Sequence, residues 1–183
     1  MTVTEALEKL KTYEQTSFAL GHAMGLLYYD GVTVAPKGAA AVRGDTSAEL
    51  SRIDYQLTTA PETVEMLETL MAAREELDAV TRRKVEEYWR SYDRTRRIPE
   101  EEFVAYQRLS IKADDVWQTA KETNDFALFE PYLQEMFDTL KRFARYWEPD
   151  KAPYETMLDN YERGLTTAAC DEFSPLCGKS WCP

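Results

Sequence analysis

Apolar residues in this chain recur every three or four positions along most of its length, and no stretch alternates apolar with polar at period two. That spacing lines one face of a helix and leaves no pattern for a half-buried strand. Leu7, Leu10, Phe18, Gly21, Met24 and Tyr28 follow it in the first segment, interrupted by Glu14. Thr4 is the expected N-cap there, and Asp30-Gly31 the expected end, with a loop over 31–38. A second helix is expected from about 39 to 58, with Leu50, Ile53 and Leu57 as its clearest apolar positions. Pro61 suits the first turn of a third helix, carrying Val64, Leu67, Leu70, Met71 and Leu77. Asp78 or Thr81 can cap a fourth, carrying Val85, Tyr88, Trp89 and Tyr92.

Pro99 followed by Glu100, Glu101 and Glu102 is a helix start, with proline in the first turn and acids at the positive end. Phe103, Tyr106, Leu109, Ala113, Val116, Trp117 and Ala120 continue it until Asn124-Asp125 breaks the pattern. Pro131 stands near the start of a sixth helix, whose wide apolar face is Leu133, Met136, Phe137, Leu140, Phe143, Ala144 and Trp147. Pro149 stops it, and a short helix over 153–161 follows with Gly164 as its C-terminal cap. The expected fold is all-α, an antiparallel multi-helix array joined by short turns.

A chain of 183 residues makes one domain or one and a half. At this size about 70% of the unfolded surface can be buried, so a real core can form. Twenty-two basic and 33 acidic residues leave a net charge of −11. Nucleic acids and anionic membrane surfaces are therefore not expected partners, because both need a basic face. No apolar run approaches the ~20 residues of a membrane span, and the N-terminus shows no basic-then-apolar leader. A cytoplasmic location is the expectation.

One histidine, His22, bounds the chemistry. A zinc helix of the H-E-x-x-H kind needs two histidines four apart, so that both imidazoles face one metal. A di-iron bundle needs two Glu-x-x-His pairs. Cys170, Cys177 and Cys182 crowd the last fourteen residues at spacings that match neither C-x-x-C nor a zinc ribbon. The other suggestive features have structural readings. His22, between Gly21 and Ala23, reads as a core or helix-contact residue, and Gly21-x-x-x-Gly25 as a place where two helices come close. Asp93 and Arg97, at i and i+4 within Tyr92-Asp93-Arg94-Thr95-Arg96-Arg97, read as an ion-paired helix end. Glu100–Glu102 reads as an acidic first turn, and Tyr28-Tyr29 as core and rim. Glu75-Glu76 and Asp114-Asp115 are adjacent pairs whose members point to different faces. No catalytic, cofactor-binding or metal-binding residue is assigned.

The segment Leu26-Leu27-Tyr28-Tyr29-Asp30-Gly31-Val32-Thr33-Val34-Ala35-Pro36-Lys37-Gly38, continuing to Arg43, resembles the early signature of the carboxypeptidase Taq family of metallocarboxypeptidases. Asp30, Thr33, Pro36, Gly38 and Arg43 match it, while Tyr29 stands where the family has tryptophan. Tyr92-Asp93-Arg94 before Ile98-Pro99, the stretch from Asn124 to Leu133, and Pro153-Tyr154 through Thr166-Thr167 are similar in the same order. The resemblance runs from about residue 5 to about residue 176. It implies an all-helical peptidase that releases C-terminal amino acids, using zinc or another divalent metal held by H-E-x-x-H and a later glutamate. Nothing in this sequence matches those elements, so no metal or catalytic residue is carried over.

The expected organisation is therefore a helical N-terminal region over 1–168 and a divergent tail over 169–183, for which disorder is an open reading. After Thr166-Thr167 the tail departs from the family, with Ala169 where a glutamate is usual, and it reads as a frameshifted or truncated end. The leading expectation is a truncated relative of a metallocarboxypeptidase, non-catalytic alone. The alternatives are a stand-alone helical module that binds a peptide or protein, and one half of a split metallocarboxypeptidase. Expected partners are a second copy, forming a homodimer, or a missing C-terminal catalytic region. Trp117, Phe137, Phe143 and Trp147 are the apolar residues expected to be uncovered.

Overall fold

The computed structural model describes residues 1–36 and 38–181, with side chains through residue 174. Among the described residues it is all-α: α1 (Val3–Thr33), α2 (Ala40–Thr59), α3 (Pro61–Ala72), a 3-10 turn (Arg74–Glu76), α4 (Ala79–Thr95), α5 (Glu100–Thr123), α6 (Phe126–Trp147), α7 (Pro153–Tyr161) and α8 (Thr167–Trp181). The chain forms two units, Met1–Leu133 and Gln134–Pro183, whose boundary falls inside α6.

In the first unit the core gathers around the beginning of α1. Ala6, Leu10 and Tyr13 of α1 meet Met66, Leu67 and Leu70 of α3 and Val85 of α4. Leu57, Leu77, Tyr88, Trp89 and Tyr92 close the margin, each half-buried. Tyr13 and Tyr88 meet edge to face at 5.2 Å between ring centres, the arrangement that opposes ring edge to ring face. Met1 is tied down as well, its ammonium 2.7 Å from Glu65.

Helix α2 lies antiparallel to both α1 and α5. Tyr13 reaches Thr58 at 3.4 Å, while Ser51 donates to the Met24 sulfur at 3.7 Å. On the other side Arg108 donates to Asp45 at 3.1 Å, and the Tyr55 hydroxyl donates to the Ile98 carbonyl at 2.9 Å. The buried positions of α2 are Ala40, Gly44, Ser47, Ala48, Ser51 and Thr58. They are all small, which is what lets the three helices approach. Leu50 and Leu57 are only half-buried and Ile53 is 48% exposed, so the apolar stripe expected for α2 is not its core face.

The helix boundaries follow local chemistry. Thr2, not Thr4, caps α1: its hydroxyl accepts from the Glu5 amide while Glu5 accepts from the Thr2 amide, a reciprocal capping box. Asp78 caps α4 through the Val80 and Thr81 amides at 3.0 and 3.1 Å. Asn124 ends α5 at φ 54, and Asp125 starts α6 by accepting from the Ala127 amide. Helix α1 runs through Asp30-Gly31 to Thr33 rather than stopping there. Gly31 lies inside the helix rather than ending it, with the flexible end of the Arg43 side chain 2.7 Å from where its own side chain would stand.

In the second unit, α6 ends at Trp147 before Pro149 and α7 spans Pro153–Tyr161, as the sequence predicts. Gly164 takes φ 82 and donates its amide to Asp159 at 3.0 Å. Glu155 accepts from the amide and hydroxyl of Thr167, tying α7 to the start of α8. The backbone of α8 is helical across Pro175 to Trp181. Cys177 and Cys182 lie outside the residues whose side chains are described.

Candidate functional site

Most of the charged features prove to be tied up in the fold. Asp93 pairs with Arg97 at 2.8 Å and also with Arg96, the ion-paired helix end the spacing predicts. Arg52 of α2 reaches Glu100 at 2.8 Å and Glu101 at 3.0 Å, so the acidic first turn of α5 is a clasp to α2. Those two carboxylates hold the Arg52 guanidinium firmly protonated. Gln118 donates to Asp114 at 3.1 Å along α5, and Glu75 takes Arg82 at 3.0 Å.

Glu14, the polar interruption in α1, is similarly accounted for. Lys84 stands 2.9 Å from it, and the Tyr88 hydroxyl donates to it at 3.2 Å. Burial and the nearby Glu14 charge push the Tyr88 phenol up to about 12. This is a structural crosslink between α1 and α4. Among the described residues, no group of three or more His, Cys, Asp or Glu stands close enough to share a metal ion. Cys170 is a free, half-buried thiol.

The feature left over is a helix face. Beyond Glu14, α1 meets α2 through Met24–Ser51 and Gly31–Arg43. On the opposite side Phe18, His22, Gly25, Tyr29 and Val32 fall on one stripe, because steps of three and four residues return to the same side of a helix. Phe18 is 75% exposed and Tyr29 65%, with Leu26 and Tyr28 open beside them. His22 is exposed too and stacks on Phe18, ring centres 6.0 Å apart, which corrects its reading as a core residue. Tyr28 and Tyr29 are not core and rim but both outside. Gly21 and Gly25 have nothing among the described residues within 4 Å of where a side chain would stand, so no described helix uses them for a close approach.

The sequence did carry a signal for this face. From Gln15 to Tyr29 there is no Asp, Glu, Lys or Arg, in a chain that is 30% charged. Helical periodicity alone hides it, since the stretch is apolar on two sides and only one is used. The residues expected to be uncovered fare unevenly. Trp117 and Phe137 are exposed, but Phe143 is buried and Trp147 half-buried. Phe143 and Trp147 lie one turn apart on α6, with ring centres at 6.4 Å.

Comparison with known proteins places this arrangement. The model of the carboxypeptidase Taq (M32) metallopeptidase family matches residues 9–175. Carboxypeptidase 1 of Bacillus subtilis is 32% identical over 171 residues, covering 90% of this chain and 34% of that protein. Thermostable carboxypeptidase 1 of Pyrococcus furiosus is 31% identical over 163 residues, covering 89% and 32%. Among solved structures, BsuCP superposes with a TM-score of 0.86 at 30% identity, over 93% of this chain and 34% of that one. Trypanosoma cruzi metallocarboxypeptidase 1 does so with a TM-score of 0.75 at 28% identity, over 98% and 36%. The chain thus spans about a third of the length of the curated relatives it matches.

Proposed function

Because this chain belongs to the carboxypeptidase Taq (M32) metallopeptidase family, we propose that its 183 residues serve as the N-terminal helical region of a metallocarboxypeptidase and hydrolyse no peptide by themselves. The observation that carries the reading is the family match over 9–175 in a chain that holds a single histidine. Metal-assisted removal of a C-terminal residue needs a polarised water, a general base and a clamp for the substrate carboxylate. Arginines for a clamp exist in this chain, and Arg94 and Arg97 stand near the end of α4. A second histidine with which to build H-E-x-x-H does not. Alone, this region supplies a wall and no nucleophile. A metal-bearing partner region would complete it, the metal supplying the activated water.

The test is direct. The purified chain is incubated with N-blocked dipeptides and added zinc or cobalt, and free amino acid is measured alongside elemental analysis. The expected result is no release above the metal-only blank and no stoichiometric metal. Chelator-sensitive release of C-terminal residues by the pure chain would overturn the reading.

A further inference from the structure

We propose that the outer stripe of α1 formed by Phe18, His22, Gly25, Tyr29 and Val32 is the surface on which the metal-bearing two thirds of an M32 carboxypeptidase fold docks. This rests on the functional reading above and names the surface that reading requires. Four observations carry it.

The first is size. Exposure of 75% at Phe18 and 65% at Tyr29 leaves these two rings of the stripe showing roughly 200–350 Å2, taking about 150–250 Å2 for a whole aromatic side chain. That approaches the largest apolar patch a typical monomer shows, and patches of this size are commonly binding surfaces.

The second is charge. The chain carries −11 overall, yet Gln15 to Tyr29 is free of charged side chains on every face of the helix. Solvated helix faces normally carry charge, and a partner helix that buries this one would need none removed.

The third is shape. Gly21 and Gly25, one turn apart, make a notch beside the Phe18 and Tyr29 rings that nothing among the described residues enters. Without a Cβ at these positions a partner backbone can come unusually close.

The fourth selects the occupant. The backbone matches the BsuCP fold with a TM-score of 0.86 while covering 34% of it, so the remaining two thirds of that fold has no counterpart in these residues.

The experiment is a graft. The matching N-terminal part of Bacillus subtilis carboxypeptidase 1 is replaced by this chain's residues. Phe18→Glu plus Tyr29→Glu is then introduced in the graft and, separately, in the free 183-residue chain. Val80→Glu, at an exposed apolar position on α4, is the control. Thermal unfolding is read without metal, and peptidase activity with it. In the free chain the double variant is expected to shift Tm by no more than about 2 °C. In the graft it is expected to lower Tm by at least 8 °C and activity at least tenfold, with Val80→Glu silent in both.

A graft that neither folds nor releases amino acids without any substitution overturns the functional reading, and the docking surface with it. A functional graft that tolerates the double variant overturns the docking surface alone. A free chain that is dimeric by light scattering, and monomeric once substituted, also overturns it, because the occupant is then a second copy.

Discussion

Leu67 tests where the core of the first unit lies. It is wholly buried among Leu10, Met66, Leu70 and Val85, and Leu67→Ala removes three carbons from that cluster. At about 0.8 kcal/mol per buried carbon the transfer loss is about 2.4 kcal/mol. Helices α1, α3 and α4 all contribute to the site, so it cannot collapse by moving one side chain. The cavity then adds to the loss, and the total should reach about 3–4 kcal/mol. For a unit of this size that is roughly a 10 °C fall in Tm. Ile53→Ala is the matched comparison. It shares the three-to-four spacing on which both residues read as core, but it is 48% exposed. Its loss should stay at or below about 1 kcal/mol, since much of the side chain is already in water. Urea unfolding, followed by helical circular dichroism and by tryptophan fluorescence, gives both numbers. Equal losses at the two positions, or less than about 1.5 kcal/mol at Leu67, would refute the packing described.

Ala48→Leu should destabilise by about 1–3 kcal/mol or more, because Ala48 is 1% exposed on the small-residue face of α2 and overpacking there must separate helices; chemical denaturation measures it. Tyr88 has its phenol pushed up to about 12, against about 10 unfolded. The stability this shift contributes is present below pH 10 and is lost as pH rises toward 12. Tyr88→Phe should flatten that stretch of the stability-against-pH curve, and ultraviolet titration should show one late-titrating phenol fewer than in the parent chain. Burial raises the Asp54 carboxyl above its usual range, so its ionised form opposes folding at neutral pH. Asp54→Asn should raise Tm at pH 7, and the gain should vanish as the pH falls below the unfolded value near 4, which a pH series of thermal melts tests.

Helix boundaries were legible because they depend on a few adjacent residues. Pro61, Asp78, Pro149 and Pro153 act within one turn of where they stand, and each does in the structure what its position predicts, whereas Pro99 is the N-cap of α5 rather than part of its first turn and α7 is capped at Glu162, two residues before Gly164. The core was legible where burial and apolarity coincide, as at Leu10, Leu67, Leu70 and Val85. It was illegible in α2, because a helix wedged between two others is selected for small side chains. Gly44, Ser47, Ala48 and Ser51 look polar or neutral in sequence and are the buried face. Thr2 and Gly31 were misread for related reasons. The capping box needs Glu5 to reach back, and Gly31 continues the helix beside Arg43, twelve residues away and on another helix.

The proposed docking surface was hard to see for the opposite reason. Apolar spacing says that a helix has a face to bury but not how many faces, nor against what. In α1 the first half spends its apolar residues on α3 and α4, and the second half packs on α2. Met24 and Gly31 point to α2, which leaves Phe18, Leu26, Tyr28 and Tyr29 in water. A helix that needed only to dissolve would carry charged groups at those positions, at no cost to its helical propensity. Keeping two tyrosines, a phenylalanine and two glycines there lowers the solubility of the isolated chain and adds nothing to its core. Such a face is consistent with a surface that is covered when the region does its work. The charge-free run from Gln15 to Tyr29, rather than any catalytic motif, is therefore the feature of this sequence that points most directly to function.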